Sequence, residues 1–83
     1  MSKTELTSWS PTEVHCLASF RANEIPTSFV LDDREMKVRT ILNSWREPEY
    51  LCFTVETVDG RIFGLRHHEY DDWWQVREAV KGR

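Results

Sequence analysis

Residues 50–65, YLCFTVETVDGRIFGL, constrain the fold more than any other stretch of the chain. Leu51, Phe53 and Val55 alternate with Tyr50, Cys52, Thr54 and Glu56, the period-two pattern of a strand with one buried face. An Asp-Gly pair then precedes a second apolar run in which Phe63 and Leu65 share a parity. Asp-Gly between alternating runs is a strong hairpin signal, because glycine reaches positive φ without a Cβ clash. The expected product is an antiparallel hairpin with Leu51, Phe53, Val55, Phe63 and Leu65 toward the core. Gly64 falls on the outer face, where a strand glycine marks a bulge or the close approach of another group.

The flanking segments extend this pattern. Residues 27–42 read as a second hairpin, with Phe29 and Leu31 on one parity, Asp32-Asp33 in the turn, and Met36, Val38 and Leu42 alternating beyond it. A helix competes for residues 32–45: Val38, Ile41, Leu42 and Trp45 are spaced for one helical face, and Asp32 with Glu35 forms a capping box. The β-branched Val38, Thr40 and Ile41 favour the strand, bent or bulged near Thr40. Pro48 breaks the chain, HEYDD is a turn, and WWQVR is a closing strand. Residues 12–20 fit either a helix capped at Ser10 or an alternating strand through Val14, Cys16, Ala18 and Phe20; the strand is preferred. RANEIP, 21–26, reads as a connector. Residues 1–11 read as a flexible arm, 12–78 as one β domain and 79–83 as a tail with the option of a short terminal helix. Roughly five or six short strands with frequent turns predict an all-β antiparallel meander, curled into a small open barrel of SH3-like size.

Eighty-three residues suffice for one domain with a small core, and ten aromatic residues (four Trp, four Phe, two Tyr) supply its bulk. The net charge of −3 gives no global attraction to nucleic acid. Cys16 and Cys52 lack a C-x-x-C spacing and read as reduced thiols. The polar N-terminal stretch has no apolar signal region, and no run approaches the ~18 apolar residues of a membrane span. The expectation is a cytoplasmic protein without membrane association.

The sequences SFVLDDREMKVRTILNSWREP and YLCFTVETVDGRIFGLRHHEYDDWWQV together resemble a group of small bacterial proteins of unknown function. Their shared pattern is Val-x-x-Ile-Leu, a Trp, Asp-Gly-Arg, Leu-Arg-His and a closing Trp, covering residues 14–77 here. The resemblance implies a compact, mostly β, cytosolic domain and implies no activity. The His and the closing Trp are each doubled here, as His67-His68 and Trp73-Trp74.

LRHHEYDDWW holds the densest chemistry. His67, His68, Asp71 and Asp72 are metal-ligand candidates, with Glu69 and His15 as further donors, and would serve a metal-dependent hydrolase. Adjacent histidines on a strand point to opposite faces and chelate poorly, and no H-E-x-x-H or paired Cys/His spacing occurs. Nucleophile elbows and phosphate-cradling glycine loops are also absent, so no enzyme and no cofactor is expected. The outward parity instead collects Lys37, Arg39, Arg66 and His68, with Tyr70 and one tryptophan nearby. Trp45 and Trp74 are expected as core fillers and Trp73 as the exposed ring. Arg39, Arg66, His68, Tyr70 and Trp73 are therefore the partner-binding candidates. The leading expectation is a non-catalytic protein-binding or accessory module, by hetero- or self-association. The alternative is single-stranded or structured nucleic acid, held by stacking and phosphate contacts.

Overall fold

The computed structural model describes residues 8–17 and 25–79. Seven strands run through them: β1 (Ser10–Thr12), β2 (Val14–Leu17), β3 (Ile25–Leu31), β4 (Arg34–Glu47), β5 (Tyr50–Thr57), β6 (Ile62–His68) and β7 (Trp73–Glu78). They form one antiparallel sheet in the order β1-β7-β6-β5-β4-β3-β2, and the described residues contain no helix. Strands β3 to β7 are the expected meander. The added strand comes from the N-terminal segment, which breaks at Glu13 into halves that pair with different neighbours.

That break explains the architecture. Strands β1 and β2 are consecutive in the chain yet lie at opposite ends of the sheet order. One short segment reaches both edges only if the sheet curls into a half-barrel. At the junction, the Thr12 hydroxyl donates to the Val30 carbonyl at 2.6 Å, and the Val30 N–H donates to the Glu13 carbonyl at 3.1 Å. Strand β1 carries Pro11, which a strand tolerates at an edge because it has no N–H to offer a further neighbour. Residues 10 and 11 thus belong to the sheet rather than to an arm, and Ser10 starts no helix. Residues 1–7 lie outside the described residues.

The turns follow local chemistry. Asp32 and Asp33 both adopt positive φ (52° and 66°), joining β3 to β4 with a two-residue loop. Between β5 and β6, Gly60 at φ 89° closes a three-residue loop, with Thr57 N–H donating to Arg61 O at 2.8 Å. The buried Thr57 hydroxyl donates to the Asp59 carboxylate and accepts from Arg61 N–H.

Phe29, Val55, Phe63, Leu65 and Val76 are fully buried at the centre of the core, with Met36 and Phe53 beside them and Val14, Val38, Ile41, Leu51 and Trp74 packed around. The hairpin registers pair Val55 with Phe63 and Phe53 with Leu65, as the alternation predicts. Phe29 on β3 meets Phe63 on β6 edge-to-face at 5.0 Å, a contact across the curl between strands that are not sheet neighbours.

Four expectations need correction. Ile25 and Pro26 open β3, paired to Leu17 and Cys16, rather than ending a connector; residues 18–24, including Ala18 and Phe20, lie outside the described residues. Residues 34–47 form the strand that their β-branched residues favour, bulged near Thr40 as expected, but Leu42 does not share the core-facing side with Met36 and Val38. The ladder slips between Val38 and Thr40 and again between Ile41 and Asn43, so Val38 and Ile41 reach the core while Leu42 stays 51% exposed. Trp45 pairs with Cys52 on the outer parity and is 40% exposed, so it fills no core. At the C-terminus, Ala79 N–H donates to Ile62 O at 2.9 Å, extending the β6–β7 ladder. The helical turn read for EAVKGR therefore does not include Glu78 or Ala79, and 80–83 lie outside the described residues.

Two measurements test this arrangement. Phe63→Ala should cost about 3–5 kcal/mol in urea unfolding, whereas Leu42→Ala should stay within about 0.5 kcal/mol. Similar losses would contradict the assignment of these two faces. The Thr57 hydroxyl, followed by the Arg61 charge, holds the Asp59 carboxyl below its ordinary pKa despite some desolvation. A lowered folded pKa stabilises above the unfolded carboxylate range, and that contribution is lost as pH falls through the lowered value. Thr57→Val should move the Asp59 titration upward in side-chain carboxyl NMR; an unmoved titration would rule out the hydroxyl as its cause.

Candidate functional site

The outer face of β5, β6 and β7 carries a groove of about 290 Å³. Its floor is the outward parity of the central hairpin: Cys52 and Thr54 from β5 and Gly64 from β6. Trp9 and Trp45 line it, and Arg66 and Arg77 bring guanidinium groups to it. Phe53, Glu47 and Ala79 complete the lining.

Gly64 makes the groove possible. A Cβ added there would lie 3.4 Å from Trp9 Cη2, so the indole settles directly on the glycine backbone. The sequence marks the close approach through Gly64, but the group that approaches comes from the stretch read as an arm. Arg66 and Arg77 then pack over the Trp9 ring at 4.4 and 4.5 Å from its centroid. The Arg66 guanidinium also lies 4.3 Å from the Tyr50 ring centroid, and its Nε–H donates to Gln75 Oε1 at 2.7 Å. These contacts hold both guanidinium groups against aromatic rings, which limits their freedom before a ligand arrives. On the other side, Trp45 Nε1–H donates to Glu47 Oε2 at 2.9 Å.

Charge is distributed unevenly around this face. Arg61 is engaged by Glu78 through two hydrogen bonds, at 3.1 and 2.9 Å, and Arg46 by Glu69. Among the described residues, neither Arg66 nor Arg77 has a carboxylate within ion-pairing distance. Burial, then the nearby Glu47 charge, push the Cys52 thiol above its ordinary pKa, and Arg66 opposes them. Cys52 is thus a protonated floor residue near neutral pH and a poor nucleophile.

Next to the groove, the two histidines divide as strand parity requires. His67 faces inward, 6% exposed, stacked on Trp74 at 4.5 Å with its Nε2 2.8 Å from Asp72 Oδ1. Trp74 in turn stacks on Phe53. His68 faces outward but is only 9% exposed, because Trp73 lies parallel to it at 4.6 Å and Tyr50 meets it edge-on. Its Nε2 lies 3.3 Å from Glu49 Oε1, and its Nδ1 accepts the Asp71 N–H at 3.2 Å. Both Asp72 and Glu49 occupy positive-φ turn positions, at 59° and 72°. The turns therefore deliver one carboxylate to each imidazole. Among the described residues, no three His, Cys, Asp or Glu side chains gather to hold a metal ion.

The structure sorts the candidate contact residues into three groups. Arg66 lies in the groove. His68, Trp73 and Tyr70 form a neighbouring ring cluster in which Tyr70 is 79% exposed and Trp73 36% exposed. Arg39 lies apart: it borders a separate hollow with Ile25, Pro26 and Thr27, six positions along β4 from Trp45. Trp9, Trp45 and Arg77 are groove residues that sequence reasoning did not select.

No family model, curated protein or solved structure matches the chain. No helix among the described residues is long and apolar enough to cross a membrane.

The seating of Trp9 gives a direct test. Gly64→Ala adds a methyl at ordinary contact distance and should leave the tryptophan emission nearly unchanged. Gly64→Val has no room under the indole and should expel Trp9, red-shifting part of the emission while far-UV dichroism keeps its β signature. A Gly64→Val protein with wild-type emission would disprove the stacking.

Proposed function

We propose that the chain is a non-catalytic protein-binding module and that the groove between Trp9 and Trp45 is its contact surface. The observation that carries this reading is the pair of partly exposed indoles in the groove, beside two arginines that lack carboxylate partners among the described residues. Tryptophan and arginine dominate the energetics of protein contacts, because they bury large area and present directed donors. The rings hold the arginines before a partner arrives, so less side-chain entropy is lost on binding.

An enzyme reading has less support. The thiol on the groove floor is held protonated, and each histidine is committed to a turn carboxylate on opposite faces of β6. A metal-dependent hydrolase through His67, His68, Asp71 and Asp72 would have to bring opposed side chains to one ion. The nucleic-acid alternative draws on the same arginines and on exposed Tyr70 and Trp73. Around the groove, the described residues offer it no further uncommitted arginine: Arg46 and Arg61 are paired with carboxylates, and Arg39 is remote. The same proposal includes a bacterial, cytoplasmic setting.

Selection from a random-peptide display library tests the function. Peptides enriched on the wild-type protein should shift the backbone amides of Thr54, Gly64, Arg66 and Arg77, and should bind the Trp45→Ala protein at least tenfold more weakly. Failure to enrich any peptide that shifts these amides, or the same shifts from an oligonucleotide alone, would overturn the reading.

A further inference from the structure

We infer that the groove recognises an acidic segment of its partner, and that Arg66 and Arg77 receive a carboxylate from an extended peptide. The inference rests on the binding reading above and adds the chemical class of the ligand.

The charge of the groove favours an acidic ligand. The lining contains two guanidinium groups and one carboxylate, Glu47. Glu47 is held by the Trp45 indole N–H and forms no ion pair with either arginine. The groove therefore keeps an excess positive charge, although the chain as a whole carries a net charge of −3. A protein of that net charge repels acidic partners in general, so local attraction has to come from fixed groups close to the ligand.

The guanidinium carbons of Arg66 and Arg77 both lie over the Trp9 ring, and that of Arg66 also lies over the Tyr50 ring. A guanidinium packed on its face still offers N–H groups around its edge, the geometry that matches a carboxylate with two parallel hydrogen bonds. The Gln75 contact uses only the Nε–H of Arg66. Solvent is partly excluded by the indoles, which strengthens a charge-assisted bond relative to the open surface.

The floor favours an extended chain over a compact anion. It follows the strands through alternate residues Cys52 and Thr54, with Gly64 paired opposite Thr54. Alternate side chains of an extended ligand repeat at about 6.5–7 Å. An acidic residue at one such position would reach the arginines while an apolar neighbour two residues away meets Trp45.

The test uses two blocked pentapeptides, acetyl-Val-Thr-Glu-Thr-Val-amide and its Gln counterpart, which place valines two residues from the central position, with a ten-nucleotide deoxythymidine oligomer as a phosphate source. Each is titrated to millimolar concentration at low salt while the Arg66 and Arg77 side-chain Nε–H signals and tryptophan emission are followed. The Glu peptide should shift both signals saturably, and the Gln peptide should bind at least tenfold more weakly. Arg77→Gln and Arg66→Gln should each abolish the difference between the peptides, and Arg66→Lys should restore part of it. Far-UV dichroism and the unfolding midpoint of each variant identify any loss of fold. Equal binding of the two peptides would overturn the carboxylate assignment and leave the protein-binding reading standing. A response to the oligonucleotide alone would overturn both. No response to any probe would overturn the carboxylate assignment, with the peptide selection deciding the broader reading.

Discussion

The edge contact between Phe29 and Phe63 is the interaction on which the rest of this structure depends. The two rings belong to strands separated by two others in the sheet, so they meet only when the sheet curls. A flat sheet of this length would leave one apolar face in water, and burying a phenylalanine contributes about 1.5–3 kcal/mol. Curling brings the exposed edges of β7 and β3 within reach of one segment, and residues 10–17 occupy both. Edge strands are thereby covered without a helix or a long loop. The remaining features of the molecule are consequences of that closure.

One consequence is the placement of Trp9. Because β1 docks on β7, the residue just before it is carried over the outer face of the sheet rather than into solvent. The landing point is Gly64, where the missing side chain lets the indole settle on the backbone. The aromatic ring then orders two arginines, and Arg66 extends the contact to Tyr50, which in turn meets His68 and Trp73. The outer face of this small sheet is thus organised by side chains from both ends of the chain, with Trp9 as their common partner. A groove forms between that cluster and Trp45, which the β4–β5 register turns outward.

The HHEYDDWW stretch shows how strand parity separates residues adjacent in sequence. It sends His67 and Trp74 inward and His68 and Trp73 outward, so each imidazole stacks on a different indole. The division into an inner and an outer set was legible from alternation alone. The burial of His68 was not, because it depends on Trp73 lying parallel to it and on Tyr50 crossing from the next strand. Likewise, the outward parity of Arg66 was legible, but its separation from Arg39 follows from the length of β4, which carries the two ends of that strand to different parts of the surface.

Local pattern by itself determined the hairpins, their turns, the inward set Phe53, Val55, Phe63 and Leu65, and the outward position of Gly64. These are properties of neighbouring residues: two-residue periodicity, β-branching and positive-φ tolerance act within a few bonds. Tertiary structure alone decided that residues 10–17 close the half-barrel, that Leu42 and Trp45 stay exposed, and that Trp9, Arg66 and Arg77 share one groove. Each of those outcomes depends on register slips or contacts between segments dozens of residues apart. Their energies come from the curl of the whole sheet, and no local periodicity encodes it.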